Sequence, residues 1–193
     1  MVYAGQSLYN PVTREHITFV QTTEDTNGQL LVFDLRVTPG GARLPAHIHS
    51  TQEERFEVLS GSLGVMLGGK KQVLAAGDQI TLPAGVKHQW WNAGQDEVHF
   101  RVEVAPARNL ERVLEAISGM AHAGKLNGKA MPKNPFRLAQ IGKLSENYLP
   151  GIPIWMQKAM LALGSAFGRL LGYDPTFAEY CTVETAAIES VAA

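Results

Sequence analysis

The sequence predicts a mainly antiparallel β body followed by a helical C-terminal segment. Short runs of β-branched and aromatic residues alternate with polar ones as far as Ala105, turn residues punctuate those runs, and beyond Pro106 the apolar period lengthens to that of a helix. Leu31, Phe33, Leu35 and Val37 alternate with Val32, Asp34 and Arg36, and Val98, Phe100, Val102 and Val104 alternate with His99, Arg101 and Glu103. A hairpin runs from Leu63 to Leu74, its arms joined through Gly68-Gly69 and Lys70, because paired glycines supply the positive φ angles of a tight turn. Further turns fall at Pro39-Gly40-Gly41, Gly61, Gly77-Asp78 and Pro83-Ala84-Gly85. Many short strands at this spacing form an antiparallel sandwich or barrel rather than a βαβ sheet.

From Asn109, a plausible N-cap, Leu110, Val113, Leu114, Ile117 and Met120 share one helical face. Gly124 to Pro135 reads as a loop. A second helix is expected over Phe136 to Tyr148, with Leu138, Ile141 and Leu144 inward. A third starts near Pro153, since proline suits a first helical turn, carries Trp155, Met156, Ala159, Met160, Leu163, Phe167 and Leu170, and ends at Gly172. The expected organisation is thus a β body over residues 1–106, a helical extension over 107–181 packed on that body or at a subunit interface, and a frayed tail over 182–193.

Composition narrows the function. The chain has 193 residues, 45% of them hydrophobic, enough for a core without staples. Lys plus Arg is 17 against 18 for Asp plus Glu, a net charge of −1 without the cationic footprint of a nucleic-acid binder. One cysteine, Cys181, excludes an internal disulfide, and no stretch is long and apolar enough to span a bilayer; a cytoplasmic location is expected. The charged fraction, 18%, is low and suggests that another subunit or the chain's own extra elements cover part of the surface. The third helix carries only Lys158 and Arg169 as basic residues, which argues against membrane-surface binding.

The chemistry is concentrated between Gly41 and Asn92. Gly41 is followed after five residues by His47-Ile48-His49, after four more by Glu54 and after six more by Gly61. A second stretch runs from Gly77 through five residues to Pro83-Ala84-Gly85, through two to His88 and through three to Asn92. His47 and His49, two apart on a predicted strand, leave the same face; Glu54 shares its face with Phe56 and Val58, and His88 with Trp90 and Asn92. If these faces line one interior, three imidazoles and one carboxylate converge. Neutral imidazole is the commonest metal ligand, and a cation removes the cost of burying Glu54 unpaired. One carboxylate leaves a divalent ion a formal +1, suited to an anionic oxygen, and four protein ligands on an octahedral ion leave two open positions.

Both stretches resemble, position by position, the two motifs of the cupin superfamily, and the 15-residue gap between Gly61 and Gly77 is typical of its compact members. The resemblance spans roughly residues 29 to 105. It implies a small jelly-roll β-barrel with a metal at His47, His49, Glu54 and His88. The whole chain also resembles stand-alone bacterial cupins with a helical C-terminal extension, and a homodimer is the default state that the resemblance implies, in keeping with the low charge. Cupins range from dioxygenases to isomerases, cyclases and storage proteins, so the fold does not deliver the reaction.

Other residues have plainer readings. Glu53 and Glu57 point away from the Glu54 face. His16, His99 and His122 have no partners at ligand spacing and read as surface or structural. Gly41, Gly61, Gly77 and Gly85 shape turns and bulges. Phe56, Trp90 and Phe100 are either pocket walls or plain core, and Trp91, on the opposite face from Trp90, is expected to pack against the helical tail or a second subunit. The expected function is metal-dependent chemistry on a small organic molecule, through one divalent ion (Fe, Mn, Ni, Co or Zn), of oxygenase type or stabilising an enolate in isomerisation or cyclisation. Glu54 is the one ligand able to leave the metal and act as a base, since the sequence singles out no second acid or base. The alternatives are a non-catalytic module binding a small ligand and a structural cupin stapled by its metal.

Overall fold

A computed structural model describes residues 2–181; the expected frayed tail lies outside the described residues. The β body comprises β1 (Ser7–Asn10), β2 (Glu15–Gln21), β3 (Leu31–Val37), β4 (Ile48–His49), β5 (Glu53–Ser60), β6 (Ser62–Leu67), β7 (Lys70–Ala75), β8 (Gln79–Leu82), β9 (His88–Asn92) and β10 (Val98–Ala105). It is followed by α1 (Leu110–His122), α2 (Pro135–Ser145), β11 (Asn147–Tyr148) and α3 (Ile154–Leu170). The strands form a six-stranded sheet in the order β1-β2-β3-β10-β5-β8, a three-stranded sheet β7-β6-β9 and a two-stranded sheet β11-β4. The result is a jelly roll, antiparallel throughout.

Alternation in the sequence becomes sidedness in the sheet. Across β3 and β10, Val37 faces Val98, Leu35 faces Phe100, Phe33 faces Val102 and Leu31 faces Val104, and all eight are buried. Their outward neighbours Asp34 and Arg101 also pair, Arg101 donating through Nε at 2.8 Å and Nη2 at 3.1 Å. The inward faces of both large sheets share one core, in which Phe56, Phe100 and Trp90 meet edge to face or tilted at 5.2 to 5.4 Å. The hairpin lies where expected, as β6 and β7, with Gly68 and Gly69 at φ 59° and 93°.

Trp91 differs from expectation. Its indole lies on Gly64 of β6, where a Cβ would come within 2.1 Å of the ring, and Arg43 covers it at 5.7 Å. A neighbouring glycine makes the space for the ring, which stays half-buried on the sheet. Gly41 likewise permits a close approach. A Cβ there would fall 1.9 Å from the Thr13 carbonyl oxygen, so only glycine lets the segment leading to His47 cross the β1–β2 turn this closely.

The helices also correct the sequence in detail. Asn109 precedes α1 but its side chain makes no capping bond, whereas Asn134 caps α2, accepting from Phe136 N at 2.9 Å and Arg137 N at 3.1 Å. Helix α2 stops at Ser145, because Glu146 turns left-handed at φ 53°, and Asn147 and Tyr148 leave it as a strand. Of its expected inward residues Ile141 is buried, while Leu138 and Leu144 are half-buried. Helix α3 ends two residues before Gly172, with Leu171 as its cap. It packs on α2 through the face bearing Leu161, Gly164 and Gly168 and leaves Trp155, Met160, Leu163, Phe167 and Leu170 exposed. Helix α1 lies against β1, His122 Nε2 donating to Tyr9 O at 2.9 Å, and its Glu111 carboxylate accepts from Thr23 N and Oγ1, just beyond β2, at 2.9 and 2.8 Å.

Candidate metal centre

Three histidines converge inside the jelly roll. Backbone bonds between His47 and His88 (His47 N to His88 O at 3.0 Å, His88 N to His47 O at 2.9 Å) set their rings side by side, centroids 4.6 Å apart. His49, two residues on, stacks on His88 at 5.2 Å. Donor atoms of the three rings all lie within 4.8 Å of one another, so the set is positioned to bind a metal. Glu54, in phase with the buried Phe56 and Val58 on β5, points its carboxylate at the same place: Oε1 is 3.3 Å from His49 Nε2 and Oε2 is 3.5 Å from His88 Nε2. His49 and His88 are 2% and 1% exposed, and His47 is half-buried.

The rings are aimed by the chain itself. His47 Nδ1 donates to Pro45 O and His88 Nδ1 to Val86 O, each at 3.0 Å, so the proton sits on Nδ1 and the Nε2 lone pair is free. His88 Nε2 is a buried nitrogen with no hydrogen-bond partner. An orphaned acceptor in so dry a place is costly unless something electron-poor meets it.

Electrostatics agree. Burial, with the neighbouring imidazoles, lowers His47 from 6.5 to about 4, and burial lowers His88 as well; both rings are neutral at pH 7. Burial by itself would raise Glu54, but the hydrogen bond from His49 and the pull of the three rings bring it down to about 2. An ionised carboxylate among uncharged imidazoles is a buried anionic cluster, the environment a divalent cation completes.

A cavity of about 70 Å³ reaches this cluster, and of the four side chains His47 alone lines it. Trp90 is on its wall; Phe56 and Phe100 are wholly buried in the core and do not line it. Two charged residues not singled out by sequence are on that wall as well, Glu15 and Arg43. On β2, Glu15 is in register with Ile17 and Phe19, which are 1% exposed, so its carboxyl sits on the inward face. Burial raises it from 4.5 to about 7, against a smaller lowering by the Thr13 hydroxyl. A charged residue in phase with two inward apolar ones was the signal available in the sequence.

Comparison with known proteins agrees with the fold. Residues 33–104 match the family described as Cupin domain. An oxidoreductase from Arthrobotrys oligospora is 28% identical over 98% of this chain and 83% of its own length. Quercetin 2,3-dioxygenase from Bacillus subtilis is 33% identical over 31% of this chain and 18% of its own length. Among solved structures, an RmlC-like cupin from Shewanella frigidimarina superposes with a TM-score of 0.47 at 19% identity, covering 57% of this chain and 94% of that one.

Proposed function

We propose that this chain, whose residues 33–104 match the Cupin domain family, is a metal-dependent oxidoreductase, of oxygenase type, acting on a small organic molecule held in the cavity beside His47. The observation that carries this reading is the orphaned, proton-free Nε2 of His88 facing the Glu54 carboxylate, with His47 and His49 at ligand distance. His47, His49, Glu54 and His88 would hold one divalent first-row ion. When bound, such an ion supplies Lewis acidity toward a substrate oxygen and a site for oxygen chemistry. The oxidoreductase that matches along nearly the whole chain supports a redox reaction over an isomerisation.

The protein's own part is positioning. Carbonyls of Pro45 and Val86 keep two rings in one tautomer, and burial keeps them neutral and ready to coordinate. Trp90 supplies an aromatic wall, and His47 is the ligand a bound molecule meets first. Elemental analysis of the purified protein, with oxygen uptake recorded on catechols, flavonols and β-diketones, tests the reading. One divalent ion per chain, lost together with oxygen uptake in His49→Ala, is expected. Full metal occupancy in that variant overturns the ligand assignment.

The same proposal includes a homodimer built on α3, in a cytoplasmic protein. Met156, Met160, Leu163, Phe167 and Leu170 recur at steps of four and three, the seam of a helix that packs on another helix. Among the described residues no helix is long and apolar enough to cross a membrane. With Trp155 this seam exposes on the order of 700 Å², close to the roughly 800 Å² per partner of a stable interface. A second copy of α3 is the occupant such a seam fits.

A further inference from the structure

The metal cluster offers a ligand no free acid or base on the cavity wall, because His49, Glu54 and His88 do not line the cavity. Glu15 does. It stands on β2 of the six-stranded sheet, and His47 enters the cavity from the segment preceding β4, so a molecule occupying the cavity lies in a space walled by both. The side chain has no ion-pair partner among the described residues. The strands flanking it place uncharged Asn10 and Val37 opposite. Arg14 and His16 adjoin it along β2 on the other face, Arg14 bonded to Pro39 O and His16 stacked on Tyr9, and the charged or titratable groups that share its cavity are Arg43 and His47.

We propose that Glu15 is the proton-transfer group of this cavity, exchanging a proton with an acidic hydroxyl, phenolic or enolic, of a ligand bound beside His47. The step balances simply. The ionised Glu15 carboxylate takes the hydroxyl proton, the O–H bond of the ligand breaks with its electron pair left on oxygen, and Glu15 becomes the neutral acid; the reverse transfer returns the proton to the ligand. The ligand oxyanion then has Arg43 on the same wall. A carboxyl that exchanges protons near neutrality suits this work, and burial raises Glu15 into that range. The inference deepens the proposed function by naming the ligand class and the residue that ionises it, and it rests on that reading for the reaction that follows.

4-Nitrocatechol, whose absorption changes when its hydroxyl ionises, is the probe. It is titrated from pH 5 to 9 against the wild type, Glu15→Gln and Glu15→Asp, each as purified and after metal removal by a chelator. The expected result is an ionisation midpoint of the bound probe that falls by a pH unit or more in Glu15→Gln, because the carboxylate that shares the hydroxyl proton and repels the oxyanion is gone, with Glu15→Asp between, in both metal states. An infrared band of a protonated carboxyl that titrates near neutrality in the wild type and is missing from Glu15→Gln supports the same assignment without any ligand. Coincident midpoints in wild type and Glu15→Gln, or no probe bound by the wild type, overturn it. A Glu15-dependent midpoint in protein that never holds metal would sink the metal reading and leave this one standing.

Discussion

His49 pairs with Asn147 across the two-stranded sheet of β4 and β11, so the strand that carries a histidine of the candidate metal site is completed by the segment leaving α2. Tyr148, its neighbour in the same strand, is 3% exposed and pairs with Ile48. The helical part is therefore built into the support of the site. A two-residue strand has little stability alone.

Removing that support should loosen His49. Tyr148→Ala is expected to weaken metal binding by roughly 10- to 100-fold, the range seen when groups behind a ligand are lost, while the β body stays folded. Competition with a chromogenic chelator measures it. Unchanged affinity would mean that β4 holds His49 unaided.

Metal retention should extend to unusually acid solution. His47 titrates at about 4 and not at its ordinary 6.5, so protons compete for it only as pH falls toward 4. Dialysis at pH 5 should leave the ion in place and dialysis at pH 3.5 should strip it. Release already complete by pH 6 would contradict a dry, neutral His47.

Glu15 should make the protein less stable in alkali. Its folded value, about 7, lies above the 4.5 of an exposed glutamate, so between those values the folded chain holds a proton the unfolded chain has released. Stability from this group is complete below pH 4.5 and is lost as pH rises through 7, amounting to about 3 kcal/mol in full. Glu15→Gln should therefore gain on the wild type from pH 5 to pH 8 in denaturant melts. Parallel curves across that range would place the carboxyl in water.

The seam of α3 should control oligomeric state. Phe167→Glu with Leu163→Glu puts two carboxylates into the apolar row and should turn a dimer into a monomer in sedimentation, with metal content unchanged. A wild type that sediments as a monomer removes the interface.

Arg137 should matter more than an ordinary surface arginine. It is 6% exposed, donates to Gln140 at 3.0 Å, to Asp174 O and to Glu179, and lies over the rings of Tyr173, Phe177 and Tyr180. Arg137→Ala should cost about 3 kcal/mol, by thermal melting, because it detaches residues 173–180 from α2. A loss under about 0.5 kcal/mol, the scale of an ordinary surface substitution, would show those contacts to be marginal.

Much of the site was legible in order along the chain. His47 and His49 lie two apart, Glu54 is in phase with Phe56 and Val58, and His88 follows a proline-glycine turn; strand periodicity then assigns each to an inward face. Glu15 offered only its phase with Ile17 and Phe19, a weak sign, since one acidic residue at the head of a strand is ordinarily solvated; its place on the cavity wall depends on the folded sheets. Trp91 illustrates the same limit: that its partner is Gly64 depends on β6 lying beside β9 in that register. The strand at Asn147–Tyr148 looked like the end of a helix because two residues carry no period.

The chain alone determined much of the local geometry: the longer strands and helices, most of their turns, and which donors share a strand face, because backbone periods of 2 and 3.6 residues act over a few neighbours. Tertiary structure decided what no local rule contains. It joined β4 to β11, left the Met160, Leu163 and Phe167 row of α3 open, and placed Glu15 on the cavity wall with His47. Those outcomes follow from which distant segments bury one another's apolar surface, a choice made by the whole fold at once.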